Sequence, residues 1–163
     1  MIAVYKLKET DIDKVIALVN DEVGTRLSLS DKEIRQNIDN YWVAKINNEV
    51  VGVIGLEHDT DIFIKVLVVK LGYWRLGIGT SLLITALEQF KGIHHTIVVN
   101  AWDLDVGGTP RIGKLLTKQG FKLESIKEKH YMDIDITKCQ RYIATGKHCG
   151  RCSLCRYIRE RGD

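Results

Sequence analysis

Two glycines, Gly77 and Gly79, follow an apolar run and open a helical pattern, an arrangement that could bind an anion. The first amide N–H groups of a helix lack partners within it and lie at the positive end of its dipole. Glycine lets a pyrophosphate approach these amides closely, and Arg75 adds a cation nearby. Two glycines at a strand–helix turn can also serve a purely steric role, so both interpretations stay open for this loop alone.

The loop differs from two common phosphate-binding motifs. No Gly-Lys-Ser/Thr sequence follows it, which excludes a P-loop. It also lacks the third glycine and the later acidic residue of a dinucleotide-binding fingerprint.

A second cluster that could do chemistry contains every cysteine of the chain: Cys139, Cys149, Cys152 and Cys155. Four thiolates can close a tetrahedral zinc site, and the surrounding basic residues would stabilise them. His148 could replace one ligand. The spacing also resembles an iron–sulfur run, but such a run continues with x3-Cys-Pro, whereas residue 159 is arginine. We predict zinc, with an iron–sulfur cluster as the alternative. Unligated exposed thiols are disfavoured because they would oxidise.

Acidic residues at two predicted strand ends could take a proton from a nucleophile. Glu57 and Asp103 are the candidate bases, with His58 and Asp105 beside them. Each could equally be a solvated loop charge. Trp102 could wall a substrate pocket, although a core position is the commoner role of such an aromatic residue.

The charge of the chain is unevenly distributed. The net charge is +3, yet the segment from Lys138 onward has seven basic and two acidic residues, so it carries +5 and the rest carries −2. A basic segment of this kind can attract nucleic acid or an acidic partner. A solubilising surface explains it equally well.

The chain length of 163 residues suits one domain with a real core and at most a small appendage. Hydrophobic residues make up 45% and charged residues 28%, an ordinary globular balance. No stretch approaches the ~20 apolar residues that span a bilayer, and the N-terminus resembles no targeting signal. We therefore predict a cytoplasmic protein without membrane contact.

The elements that must position these residues follow from the apolar periodicity. The predicted order is strand, two helices, three strands, helix, strand, helix and further strands, which indicates a mixed α/β sheet. Ser30 and Glu33 predict a capping box, and Asn47-Asn48 predict a hairpin turn. Thr109-Pro110 predict the start of the last helix and Gly120 its end. Phe121 to Ile136 is predicted to form two short strands.

These motifs resemble those of the GCN5-related N-acetyltransferase (GNAT) family. Leu67 and Val69 match the family's Leu-x-Val strand, Gly77-Ile78-Gly79 match its phosphate turn, and Gly120-Phe121 match a second signature. The resemblance covers roughly residues 1 to 136. It implies an α/β (α+β) fold with a mixed central sheet flanked by helices. It also implies that acetyl-coenzyme A is held by the strand and loop residues Leu67, Val69, Trp74, Arg75, Leu76, Gly77, Ile78, Gly79 and Thr80.

Three positions depart from the family pattern. Trp74 replaces an arginine or glutamine of the turn and is expected to pack over the loop. Leu116 stands where the family often has a tyrosine that protonates the leaving thiolate, and Thr109 replaces an asparagine. The sequence therefore identifies no general acid.

We interpret residues 1–137 as an acetyltransferase domain and residues 138–163 as a small metal-bound C-terminal tail. The predicted activity is acetyl transfer from acetyl-coenzyme A to an amine that enters beside the strand ending near Trp102. The resemblance also implies that a backbone N–H on the Leu67–Val69 strand would stabilise the oxyanion. A degenerate binding module, recruited by the tail to nucleic acid or an acidic partner, is the alternative. Another acyl donor, the identity of the amine and the oligomeric state stay open.

Overall fold

The computed structural model describes residues 2–23, 29–91, 96–102, 112–127 and 154–160. These residues fall into two compact units. The first unit comprises Met1–Glu57 and Ile64–Gly92, and the second comprises His58–Phe63 and Ile93–Asp163.

The described residues form seven strands and four α-helices. The strands are β1 Ala3–Lys6, β2 Tyr41–Ile46, β3 Glu49–His58, β4 Ile62–Val69, β5 Ile97–Trp102, β6 Lys122–Lys127 and β7 Leu154–Arg159. The helices are α1 Ile12–Val23, α2 Asp31–Gln36, α3 Ile78–Glu88 and α4 Gly113–Lys118. Among these helices, none combines the length and apolar character that crossing a membrane requires.

The strands belong to a mixed sheet, with the order β1-β2-β3-β4 in the first unit and β5-β7-β6 in the second. This arrangement confirms the predicted α/β class with helices flanking a central sheet. Within the first unit, β1, β2 and β3 pair antiparallel, and Tyr41 lies opposite Gly55. Asn47 and Asn48 join β2 to β3 with φ values of 49° and 65°, so the predicted asparagine hairpin is confirmed.

Helices α1 and α2 cover an apolar core in the first unit. Ile12, Val15 and Val19 recur at helical spacing on α1 and are completely buried. The start of α2 is fixed by the predicted capping box. The Glu33 amide donates to Ser30 Oγ over 3.1 Å, and the Ser30 amide donates to Glu33 Oε2 over 3.0 Å.

Helix α3 packs unusually close to β3 because Gly52 lacks a side chain. A Cβ at Gly52 would lie 3.0 Å from both Ile78 Cγ2 and Leu82 Cδ1. Leu82, Leu83 and Ala86 form the buried face of the helix. The position of the first turn of α3 therefore depends on Gly52, a glycine of β3 that lies 26 residues before Ile78 in the sequence. No local feature of the sequence indicates this role.

The second unit contains β5, β7, β6 and α4. Strand β7 pairs antiparallel with both β5 and β6. Leu116 on α4 and Phe121 after it are almost completely buried. Gly120 has φ 85°, a left-handed conformation that suits glycine at a helix end, so the predicted stop is confirmed. Thr109 and Pro110, the predicted start of this helix, lie outside the described residues.

The strand between β5 and β6 comes from the C-terminal segment. Leu154–Arg159, which the sequence analysis included in the tail, form β7 inside the sheet. In the antiparallel pairing of β6 with β7, Lys127 lies opposite Leu154. Residues 128–153 therefore link these two neighbouring strands in the sequence. The two strands predicted between Phe121 and Ile136 are represented by β6, since residues 128–136 lie outside the described part. The division between residues 137 and 138 itself stays a prediction.

Candidate functional site

The loop between β4 and α3 leaves three helix amides without partners in the helix. The first helical hydrogen bond runs from the Ser81 amide to the Gly77 carbonyl over 3.0 Å. The amides of Ile78, Gly79 and Thr80 therefore have no acceptor within α3. Gly77 occupies the cap position and has no side chain that could cap them. The three N–H groups are thus available to an anion at the positive end of the helix dipole.

The geometry at Gly77 favours close approach of a ligand to this backbone. Gly77 has φ 82°, which L-residues with a Cβ rarely adopt. A Cβ built there would meet no heavy atom of the described residues within 4 Å. Gly77 is therefore required for backbone conformation, and the space beside it is open.

Trp74 closes the loop onto the end of β4. Its indole Nε1 donates to the Val69 carbonyl over 2.6 Å, and the side chain is half-buried. A short 3-10 turn, Leu71–Tyr73, separates the two residues. The tryptophan that replaces the expected polar residue therefore has a structural contact within the loop.

A carboxylate outside the loop holds the residues on both sides of this turn. Glu49, at the start of β3, accepts from Lys70 Nζ through Oε1 and from Tyr73 Oη through Oε2, the latter over 3.1 Å. The Lys70 and Tyr73 hydrogen bonds lower the pKa of Glu49, and the Glu49 hydrogen bond raises the pKa of Lys70. Nothing local in the sequence links positions 49 and 70, so this contact was not predicted.

The other predicted loop residues surround the helix start. Arg75 and Leu76 are exposed, and Arg75 has φ 64°. Arg75 has no ion pair in the described part of the chain. Leu67, Val69, Gly79 and Thr80 are half-buried, whereas Ile78 is buried. One continuous segment thus joins a positive charge, an apolar strand end and open amides.

Of the candidate bases, the structure describes Glu57. Its carboxylate lies 3.3 Å from Lys65 Nζ, and both side chains are about half-exposed. Asp103 and Asp105 lie outside the described residues, directly after β5, which ends at Trp102. His58 is exposed and belongs to the second unit.

Tyr41 lies near Glu57 and was not singled out by the sequence analysis. Its ring lies across Gly55, so that a Cβ on that glycine would be 2.6 Å from Tyr41 Cζ. Burial, followed by the negative charges of Glu33 and Glu57, raises the pKa of Tyr41 to about 12. The cross-strand pairing of Tyr41 with a glycine is visible only once the register is known.

The predicted metal ligands are only partly described. Cys155 is completely buried in β7, opposite Ala101 on β5 and Ile126 on β6. Cys139, Cys149 and Cys152 lie outside the described residues, as does His148. Within the ranges that the structure describes, no three metal-binding side chains come together.

Leu116, which stands where a general acid was expected, is completely buried on α4. It cannot donate a proton, and its burial identifies it as a core residue of the second unit.

A sequence model of the acetyltransferase (GNAT) family matches residues 11–121. No curated protein matches the chain by sequence. Among solved structures, the ribosomal-protein-S18-alanine N-acetyltransferase from Escherichia coli is similar, with a TM-score of 0.71 and 15% identity. The match covers 98% of this chain and 94% of that one.

Two further structures were solved with ligands. Naa50 from Arabidopsis thaliana, in complex with the bisubstrate analogue CoA-Ac-MVNAL, has a TM-score of 0.71 and 17% identity, and the match covers 98% of both chains. N-acetylglutamate synthase from Neisseria gonorrhoeae, complexed with coenzyme A and N-acetyl-glutamate, has a TM-score of 0.65 and 17% identity. That match covers 98% of this chain but only 35% of the synthase. At these identities, the structural likenesses establish the fold.

Proposed function

The chain belongs to the acetyltransferase (GNAT) family and is an acyltransferase, and from this membership we propose that it transfers an acetyl group from acetyl-coenzyme A to an amine. The observation that carries the proposal is the uncapped start of α3, where the amides of Ile78, Gly79 and Thr80 have no partner in the helix. Two similar structures were solved with coenzyme A or an analogue containing it, which supports the same cofactor here.

The residues of the loop fit the pyrophosphate of coenzyme A. The three amides would donate to phosphate oxygens, and the positive end of the α3 dipole favours negative charge. The open space beside Gly77 admits the ligand to the backbone. Arg75, exposed and without an ion pair among the described residues, would add a cation, while Trp74 keeps the loop against Val69.

Bound acetyl-coenzyme A supplies an activated thioester, so the protein must position the amine and remove its proton. We propose Glu57 and Asp103 as bases and a backbone N–H on the Leu67–Val69 strand as oxyanion donor. Glu57 supports this role by its position at the end of β3 and its half-exposed carboxylate. Because Leu116 is buried and apolar, another group or water must protonate the departing thiolate.

Calorimetric titration with acetyl-coenzyme A tests the cofactor proposal. Replacing Gly77 by Glu imposes a strained φ and places a carboxylate beside the phosphate site, so we expect at least ~100-fold weaker binding. Gly72→Glu is the matched control, because Gly72 lies in the same loop and a Cβ there meets nothing within 4 Å. The control should lose at most ~5-fold, since Gly72 precedes the first open amide, that of Ile78, by six residues in sequence.

Equal loss in both glutamate variants would show that added charge alone explains the effect and would contradict the assigned site. Absence of binding by the unmodified protein would overturn the cofactor proposal. If binding is confirmed, coenzyme A thiol release should then be screened with lysine peptides, peptide N-termini and small primary amines. Glu57→Gln should lower the rate with the best of these acceptors by ~10²-fold or more if Glu57 is the base.

We also propose that Cys139, Cys149, Cys152 and Cys155 bind zinc, with His148 as a possible substitute ligand and an iron–sulfur cluster as the alternative. The Cys-x2-Cys-x2-Cys spacing supports the proposal. Burial of Cys155 suits a closed structural site from which water is excluded. In this arrangement residues 138–163 form a metal-holding module that also contributes β7 to the sheet.

Elemental analysis of protein purified without added metal distinguishes these possibilities. One zinc per chain, lost in Cys149→Ser, would support the zinc site. Iron with visible absorbance would support the cluster. A full metal complement in Cys149→Ser would contradict the ligand assignment.

The basic residues of this module suggest a targeting role toward nucleic acid or an acidic partner. Arg156 and Arg159 lie half-buried on β7, where Arg156 pairs with Glu124 over 2.6 Å. Tyr157 between them is buried, so the arginines would have to make the contact. We expect any affinity for a DNA duplex to fall steeply between 50 and 200 mM salt, as counterion release requires. Salt-independent binding would exclude the electrostatic mechanism.

A further inference from the structure

Glu49 joins the β2–β3 turn to the loop that precedes α3. Its two carboxylate oxygens are used separately, one by Lys70 Nζ and the other by Tyr73 Oη at 3.1 Å. Lys70 and Tyr73 are the residues at the two ends of a backbone turn, in which the Tyr73 amide donates to the Lys70 carbonyl over 2.9 Å. One carboxylate therefore fixes both ends of this turn.

The backbone segment that carries Glu49 is itself constrained. Glu49 directly follows Asn47 and Asn48, whose positive φ values define a tight hairpin. The Lys70 amide donates to the Val51 carbonyl over 2.9 Å, so β3 and the start of the loop are also connected through the backbone. Movement of the Glu49 carboxylate relative to Lys70 is thus restricted by the hairpin on one side and by the backbone hydrogen bond of Lys70 on the other.

The turn held by Glu49 leads directly to the anion-binding backbone. Trp74 follows Tyr73 and is bonded to Val69, and the left-handed residues Arg75 and Gly77 come next. A displacement of Tyr73 would therefore also displace the four residues that separate it from the open amides of α3. Proximity of a carboxylate to an anion site is normally unfavourable, but the Lys70 ammonium offsets the charge of Glu49.

We propose that Glu49 is a positioning residue for coenzyme A, which holds the phosphate loop in its binding geometry through Tyr73 and Lys70. The proposal rests on the proposed function, because it assumes that coenzyme A binds at this loop. Glu49 itself touches no phosphate in this scheme.

A double-mutant cycle measured by coenzyme A titration tests the proposal. Glu49→Ala should weaken binding about three- to tenfold, and Tyr73→Phe should weaken it by a smaller factor, as expected for loss of hydrogen bonds. The double variant should bind no more weakly than Glu49→Ala, because both changes remove the same contact. Glu49→Gln retains a single acceptor oxygen, which can accept from only one of the two donors, so it should restore only part of the affinity.

Glu124→Ala is the matched control. Glu124 also forms a half-exposed ion pair between neighbouring strands, with Arg156, but it lies on β6 away from the loop in sequence and in the other unit. It should leave coenzyme A affinity unchanged, and all variants should keep the melting temperature of the ligand-free protein within ~3 °C.

Three results would overturn the proposal: wild-type affinity in Glu49→Ala, additive effects of Glu49→Ala and Tyr73→Phe, or an equal loss in Glu124→Ala. In each of these cases the unmodified protein still binds coenzyme A, so the proposed function stands. Absence of binding by the unmodified protein would overturn both.

Discussion

Asp11 is a charged residue in an otherwise apolar core, and two lysines keep it ionised. Only 3% of its surface is exposed. Its carboxylate lies 2.6 Å from Lys45 Nζ and 3.2 Å from Lys14 Nζ. Burial alone would raise the pKa of Asp11, but the hydrogen bonds and charges of Lys45 and Lys14 outweigh it and lower that pKa. The pair fixes the start of α1 to β2.

Asp11→Asn should lower the free energy of unfolding by about 1–3 kcal/mol at pH 7, because it leaves the largely buried Lys45 without its partner. Since the native pKa is lowered, the ion pairs stabilise fully above the ordinary carboxyl pKa of about 4 and lose their effect as pH falls through the native value. Urea unfolding should therefore show the wild type and variant converging below about pH 4.

Lys14→Ala is the control for this prediction. The Lys14 side chain is 56% exposed, so its loss should cost less than about 1 kcal/mol. A constant difference between wild type and Asp11→Asn from pH 7 to pH 3 would contradict the ionic explanation.

Two substitutions of Gly77, to alanine and to glutamate, separate the effect of backbone strain from the effect of added charge at the loop. Gly77→Ala introduces a Cβ where φ is 82° but where no atom of the described residues lies within 4 Å, so strain is its direct effect. We expect a loss of about 1–2 kcal/mol in unfolding free energy and measurable weakening of coenzyme A binding. Chemical denaturation and calorimetry would check both. Unchanged values would show that the loop adopts another conformation.

At the scale of the elements, two glycines of β3 set how neighbouring elements pack. Gly52 admits α3, and Gly55 admits the ring of Tyr41 from β2. They lie on the same strand but serve different contacts. Through Gly52, strand β3 positions the start of α3, which belongs to the phosphate loop. The same strand carries Glu57 near its C-terminal end.

Gly52→Val should displace α3 from the sheet. Even a Cβ would lie 3.0 Å from Ile78 and Leu82, and the valine methyl groups add to the overlap. We expect about 1–3 kcal/mol of destabilisation together with weaker coenzyme A binding, since Ile78 is the first helical residue. Gly72→Ala, made where space is open, should change neither urea stability nor calorimetric affinity.

Gly55→Ala should force the Tyr41 ring out of its position. The new methyl group would overlap the ring, at a cost of about 1–3 kcal/mol in urea unfolding. Tyr41→Leu in the same chain removes the aromatic ring and should recover part of the loss. Strictly additive losses would show that the two residues do not contact each other.

At the scale of the whole molecule, ligand binding should raise thermal stability. Acetyl-coenzyme A at 100 times its dissociation constant should contribute about 2.7 kcal/mol to the folded state. For a chain of this size that corresponds to a rise of about 5–10 °C in melting temperature. Gly77→Glu, with its ~100-fold weaker binding, should rise by no more than about 1–2 °C under the same conditions. An equal rise in that variant would place the ligand elsewhere.

The sequence by itself determined the features that act over a few residues. The capping box at Ser30, the asparagine turn at Asn47-Asn48, the glycine at the start of α3 and the helix end at Gly120 were all predicted and are confirmed. Each of these depends on a local backbone conformation that a particular residue type favours. The glycine turn also led to the family resemblance, and the fold it implied is confirmed.

Only the tertiary structure decided which distant residues meet. The Glu49 contact with Lys70, the Asp11 pair with Lys45 and the insertion of β7 between β5 and β6 all join segments far apart in sequence. A cysteine run with metal-ligand spacing gave no sign that Cys155 is a buried strand residue. Strand pairing and buried ion pairs depend on long-range register, and no short stretch of sequence encodes which partner will lie opposite.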